Sequence, residues 1–302
     1  MKKYFFTIVM AFFAFPILSA AEPDYQKELQ SWRDAREKKL REENGWLSLA
    51  GRFTLKSGDN SFGTGKGNDV VFPAALIGTG PDRLGILQVD ETGKRVKLRL
   101  AEGVTMVSNG KPFTGERDFD TEKPDWVGIG RFRMHIIVRE GKYILRLADN
   151  ESLVRKNFPG CQWYPGNEDF RVEATFISYP VGKTIPIVNV LDQVSHQPCP
   201  GYAEFKRKGE TYKLDAIAEG TGLFFVFRDK TAGDTTYQPA RFITVDLNPG
   251  NNGTFTLDFN KAYNPPCAIS DFTTCPTAPD QNFLPIRIEA GEKYSKRYIA
   301  IK

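Results

Sequence analysis

Carboxylates, amides, a phenol and two thiols fall within one stretch, LDFNKAYNPPCAISDFTTCP, residues 257–276. The residues leading into it alternate with a period of two. Phe255, Leu257 and Phe259 therefore share one face of a strand, and Thr256, Asp258 and Asn260 share the other. The aromatic face belongs to a core, which leaves Asp258 and Asn260 together on the opposite side. Pro265 and Pro266 remove two amide donors and fix two φ angles, so the strand ends at Asn264. Tyr263 and Asn264 add a phenol and an amide at that sharp exit. Arg241, on a strand expected to neighbour this one, is placed to pair with Asp258 or to grip an anion through its forked guanidinium. The predicted ligand-binding set is thus Arg241, Asp258, Asn260, Tyr263 and Asn264, with Asp258 and Tyr263 as candidates for acid–base work. A plainer reading competes with it: Asp and Asn at strand ends satisfy turn amides, and Arg241–Asp258 is then only a salt bridge.

Compartment decides how the thiols are read. The chain opens MKKYFFTIVMAFFAFPILSA, with Lys2 and Lys3 before an apolar run and small residues at Ser19–Ala21. This is the pattern of a cleaved secretory signal, residues 1–21, with cleavage expected after Ala21. The apolar run is short for a membrane span and contains Pro16. The expected product is secreted or periplasmic and keeps no stable membrane span. Four cysteines in an exported chain are most simply two disulfides, with three possible connectivities. Cys267 and Cys275 bracket a short loop, which leaves Cys161 and Cys199 as the second pair. Closing the short loop stabilises by roughly 2–3 kcal/mol when unstrained. A thiol catalyst and a metal site remain as alternatives for the same residues.

Other chemistries lack their groups. The formal charge of +4 falls to +2 without Lys2 and Lys3, and no long basic run stands out, which argues against nucleic acid and polybasic membrane-surface binding. The two histidines, His135 and His196, do not make a metal site, since a closed zinc centre needs four ligands and a catalytic one three. Alternation groups His135 with Arg133 and Arg139 on a surface-facing strand side. Residues 229–237, DKTAGDTTY, are oxygen-rich but lack calcium-loop spacing and read as a turn. No nucleophile elbow and no glycine-rich phosphate loop is present. Paired catalytic carboxylates cannot be picked from 37 acids without a spacing rule. No cofactor is implied.

The elements that must position the 257–276 stretch are mostly strands. Tyr25, Leu29, Trp32 and Leu40 recur at helical spacing over 23–43, and Asn44-Gly45 is a stop, so residues 22–44 form an N-terminal helix. Its Trp32 stripe is expected to pack on the first domain. From Trp46 the period changes to two, with strand after strand punctuated by Gly, Asn, Asp and Pro. The turn-rich segment NESLVRKNFPGCQWYPGNEDF separates two such series. The expected architecture is a β-sandwich over 45–150, then a second domain over 151–302, an antiparallel curled sheet or small barrel.

Two resemblances refine this picture. SGDNSFGTGKGNDVVFP followed by VSNGKPF resembles forkhead-associated domains, with Gly63, Asn68-Asp69-Val70 and Asn109-Gly110 in the expected places. That family reads phosphothreonine, but Thr64 stands where it has its phosphate-binding arginine, and RLGILQV replaces Ser-Arg-x-His. The resemblance implies a sandwich and no phosphothreonine-peptide binding. The second half carries Arg241-Phe242, Leu257–Asn260, Ala262–Cys267, Thr274-Cys275-Pro276, Asn282 and Ala290–Lys293 in an order similar to the domain-of-unknown-function family 1684. GWLSLAGRFTL and FPGCQWYP are similar too, which extends this resemblance over nearly the whole mature chain. Ala240 departs from a Gly before Arg241, and NFLP from NRL. The resemblance brings no activity with it.

The function expected is non-catalytic binding of a small polar or anionic ligand, such as a glycan fragment, in the cell envelope. The alternatives are a hydrolase or lyase using Asp258 and Tyr263, and a structural interaction module. Asp258, Tyr263 and Arg241 converging around a void would favour the first two, and a filled second domain with an exposed apolar patch the third.

Overall fold

The computed structural model describes residues 23–73, 81–90, 95–123, 125–139, 141–247 and 253–294. The expected signal segment, 1–21, lies outside the described residues. A helix, Pro23–Arg41, comes first; Asp24 in its first turn and Lys38, Lys39 and Arg41 in its last complement the helix dipole. It stops where Asn44 turns left-handed, with φ at 59°. No helix among the described residues is long and apolar enough to cross a membrane.

Two sheets follow. Leu49–Thr54, Lys142–Asp149, Phe132–Arg139, Val127–Ile129, Met106–Ser108 and Lys111–Phe113 form one in that spatial order. The other is Val70–Val71, Gly58–Gly63, Gly85–Val89, Val96–Leu100 and Glu116–Asp118. Alternation packs Phe62, Leu87, Leu98, Leu145 and Leu147 into one core. Asn109 and Gly110, both at positive φ, make the tight turn of the Met106–Phe113 hairpin. Lys142–Asp149 breaks the alternation, being buried on both faces after Lys142. Its outward residues Ile144, Arg146 and Ala148 are covered as well, a sign that this sheet face is not solvent.

The second core is built on a curled sheet. Its strands run Arg241–Val245, Gly222–Asp229, Glu210–Glu219, Gly201–Arg207, Arg171–Ser178 and Gly253–Asp258, all antiparallel, with Phe283–Leu284 added parallel to Gly222–Asp229. Phe176, Phe205, Phe225, Phe227, Leu257 and Phe259 fill it. A separate hairpin, Thr184–Val188 with Val194–Pro198, puts Ile185 and Ile187 into a smaller cluster with Cys199, Val226 and Phe242. The chain is thus mostly β with one long N-terminal helix.

The helix docks differently from the sequence expectation. It packs on the later residues: Trp32 meets Trp163 edge-on at 5.7 Å and Tyr263 at 6.4 Å, and Arg36 pairs with Glu292 at 3.0 Å. Periodicity identifies the apolar stripe of a helix but carries no information about which surface receives it.

Candidate functional site

Asp258 and Asn260 do meet at one corner, but through a tight turn after the strand's end rather than through the strand's two-residue period, and both side chains are engaged. Asp258, 7% exposed, caps the turn Phe259–Lys261 and accepts from the Asn260 amide and side chain, both at 3.0 Å. Its other oxygen accepts from the Tyr25 hydroxyl at 2.8 Å. Burial and Asp258 push the Tyr25 phenol well above its usual range. Asn260 is fully buried; it accepts from the Asn167 amide at 3.0 Å and donates to the Asn167 carbonyl at 2.8 Å. The pair ties the N-terminal helix and the 167 turn to the edge of the curled sheet.

Arg241 is not its partner. Arg241–Val245 and Gly253–Asp258 are the opposite edges of the six-strand path, so strands adjacent in sequence are far apart in the sheet. Arg241, 1% exposed, instead pairs with buried Asp229 at 2.5 Å and donates to the carbonyls of Ala290 and Ile288. Asp229 also accepts from the Thr231 and Ile288 amides. Its only sequence signal was its place at the head of the oxygen-rich turn 229–237.

Asn264 is fastened too. Its amide donates to Glu292 at 2.9 Å, its side chain to the Lys293 carbonyl, and its carbonyl accepts from Arg36 at 2.8 Å. Gly291 makes this approach possible: at φ +80°, a Cβ there would lie 2.5 Å from the Ala262 carbonyl oxygen. Tyr263 alone of the five reaches open space. Its ring lies under Arg36 at 4.5 Å and edge-on to Phe242, and its hydroxyl meets Thr244 at 3.2 Å. It lines a 610 Å³ hollow with Trp32, Trp46, Phe224 and Lys261.

All four cysteines are free thiols. Cys161 packs with Leu40, Leu47 and Phe158, whereas Cys199 packs with Ile185, Ile187 and Val226, so the expected Cys161–Cys199 bridge is absent. Cys161 is half-buried and Cys199 buried, and both hold their protons: burial and Glu292 push Cys161 far up, and burial and Asp215 push Cys199 up to about 11. The expected Cys267–Cys275 bond is likewise not formed, but these two are neighbours. The Cys267 amide donates to Cys275 Sγ at 3.2 Å. His196 is exposed beside buried Cys199, and no group of three or more His, Cys, Asp or Glu able to hold a metal occurs among the described residues.

The open polar site lies elsewhere, in a cleft of 760 Å³ where the first sheet faces the Thr184–Pro198 hairpin. Arg52, Arg139 and Lys142 reach it from the sandwich, Ser195 and Gln197 from the hairpin, and Glu219 is the only carboxylate among the described residues that line it. Arg52 and Lys142 have no ion pair among the described residues, and Arg139 bonds only its neighbour's carbonyl. Behind them the strand register sets a row of Arg52, Arg146 and His135 across three strands. Arg146 is 9% exposed, stacks on Trp46 at 5.0 Å and has no ion pair among the described residues. His135 was expected at the surface; it is buried, stacked on Trp126 at 3.9 Å, because this face of the sheet is covered. Burial, then Arg146 and Arg139, hold its imidazole down at about 4. Sequence reasoning missed this site because its residues come from five separate stretches of the chain, most of which read as ordinary strands.

Comparison with known proteins locates the family signature. Residues 156–293 match the model of a family described as proteins of unknown function, DUF1684. The match covers the C-terminal part, not nearly the whole mature chain as the sequence resemblance implied. The solution NMR structure of an uncharacterised protein of Haloarcula marismortui is similar at 32% identity, covering 47% of this chain and 80% of that one, with a TM-score of 0.40. No curated protein matches the chain.

Proposed function

Taking residues 156–293 as a unit that matches DUF1684, we propose that the protein binds a small anionic, oxygen-rich ligand in the cleft between the sandwich and the curled sheet. One observation carries the reading: Arg52, Arg139 and Lys142 converge on this cleft without a carboxylate partner among the described residues, and only Glu219 opposes them. A cation left unpaired beside a cavity is free to meet a carboxylate or phosphate, and a guanidinium does so with two hydrogen bonds. Ser195, Gln197 and Thr274 supply uncharged donors and acceptors suited to hydroxyl groups. The volume fits a small-molecule site. Uronic acids and sugar phosphates have the matching chemistry.

The reading moves the ligand away from the 258–264 corner, where the side chains of Asp258 and Asn260 already hold hydrogen-bond partners. A hydrolase or lyase on Asp258 and Tyr263 gains no support from that geometry, because the two face different neighbours. We place the protein outside the cytoplasm on the strength of its first 21 residues. The forkhead-associated likeness of residues 45–150 enters as a scaffold only, with no phosphothreonine recognition.

Thermal-shift and calorimetric titration with uronic acids and sugar phosphates tests the reading. Binding that weakens about tenfold or more in Arg52→Gln or Lys142→Gln, and is unchanged in Asp258→Asn, supports it. Ligand binding that survives both cleft substitutions and disappears in Asp258→Asn overturns it.

A further inference from the structure

The cleft reading leaves the thiol pair of the opening stretch unused. Cys267 and Cys275 sit at the two ends of a loop braced by Pro265, Pro266 and Pro276. Thr273 Oγ1 lies between the sulfurs, 2.9 Å from Cys267 Sγ and 3.7 Å from Cys275 Sγ, and is itself buried against the Ser270 carbonyl. With the Cys267 amide pointing at Cys275 Sγ, the two sulfurs are held at one spot. The pair is unequal: Cys267 is half-buried, and Cys275 is only 3% exposed.

We propose that Cys267 and Cys275 form a thiol–disulfide exchange site for small-molecule disulfides, with Cys267 attacking and Cys275 resolving. Exposure sets the order, since a reagent reaches Cys267 first. The neighbouring Cys275 and then Thr273 supply hydrogen bonds to a Cys267 thiolate, which against the opposing effect of burial draw its proton affinity below that of an ordinary thiol, and Arg52 adds to the effect. Cys275, buried beside that thiolate, keeps its proton. Arg146 completes the setting. It is a buried guanidinium with no ion pair among the described residues and with both sulfurs among its electrostatic neighbours, so a thiolate gives it the negative charge that its strand does not.

The exchange balances with a disulfide RSSR as the oxidant. The Cys267 thiolate attacks one sulfur of RSSR, forming a mixed disulfide and releasing RS⁻, which takes up the proton that Cys267 had lost. Cys275 then loses its proton and attacks Cys267 Sγ, releasing the second RS⁻, which takes up that proton. Two protein thiols are oxidised and one RSSR is reduced to two RSH. The product links the ends of the loop next to Thr274 and Pro276, which line the cleft.

The test uses the full chain, reduced, desalted and mixed with glutathione disulfide. The expected result is release of two glutathiones per protein, loss of two thiols, and a Cys267–Cys275 peptide in non-reducing mapping. Cys275→Ser should stop at one glutathionyl group on Cys267, and Cys267→Ser should leave Cys275 unmodified over the same time. Iodoacetamide should alkylate Cys267 about tenfold faster than Cys161 at neutral pH, and Arg146→Met should narrow that gap. These rates decide the matter even where a cysteine variant fails to fold. Native protein that keeps all four thiols, or reacts first at Cys161 or Cys199, overturns the proposal. So does a Cys267–Cys275 bond that dithiothreitol cannot open in the folded protein, which would make it a structural clasp.

Discussion

The Asp258 corner and the cleft are both rich in polar side chains, and they differ in whether those side chains have partners. At the corner, Asp258, Asn260, Asn264 and Glu292 exchange hydrogen bonds with the N-terminal helix and the 167 turn. In the cleft, Arg52 and Lys142 line open space with no ion pair among the described residues. A saturated polar cluster has spent its hydrogen-bonding capacity on holding elements together. An unsaturated one beside a cavity still has that capacity for something else. Residue type alone cannot make this distinction, because both regions contain the same kinds of group.

Unfolding by urea offers the harshest way to break that contrast. Asp229→Ala strands the buried Arg241 guanidinium and should lower stability by about 3–5 kcal/mol, with ligand affinity of the folded protein unchanged. A loss under 1 kcal/mol would mean that the pair is not the fastener described.

The next effect belongs to the basic row behind the cleft. His135 has a folded-state pKa of about 4, depressed from an unfolded value near 6.5. The unfolded chain therefore binds a proton that the native chain refuses. Stability is full above about pH 6.5 and falls as pH drops toward about 4, by up to roughly 3 kcal/mol. His135→Gln should flatten that slope in melting temperature measured between these pH values; an unchanged slope would place its cause in other groups.

A smaller loss sharpens the corner itself. Asp258→Asn keeps the shape but weakens the acceptor of Tyr25 and Asn260, and should reduce stability by about 1–2 kcal/mol without altering ligand binding. At the lower end, Arg52→Gln should move stability by no more than about 0.5 kcal/mol while weakening the cleft ligand about tenfold. Equal behaviour of these two variants would erase the difference between the regions.

Much of the fold can be read locally. The change from a 3.6-residue to a two-residue period at Trp46 gives the helix and the strands, and Asn109-Gly110 gives a hairpin. The alternation of Phe255, Leu257 and Phe259 points to a core that two of the three reach, whereas Asn260 meets Asp258 through the Phe259–Lys261 turn. The strand expected to run to Asn264 stops earlier, at Asp258, because that carboxylate caps the Phe259–Lys261 turn before the prolines are reached.

Strand order is not local, and the site depended on it. The sheet puts Arg241 and Asp258 on opposite edges, so Arg241 pairs with Asp229 and the predicted five-residue set divides. The helix stripe carried its own hydrophobicity but not its receiving surface, which turned out to be Trp163 and Tyr263. Likewise, only the covering of the first sheet's outer face turned His135 from a surface residue into a buried one and aligned Arg52 with Arg146. The sequence by itself determined which residues alternate and which side chains of a strand share a face, because these follow from bonded geometry. Which charges meet was decided only by the tertiary structure, because a pairing energy depends on distances between segments that the chain's local periods leave unspecified.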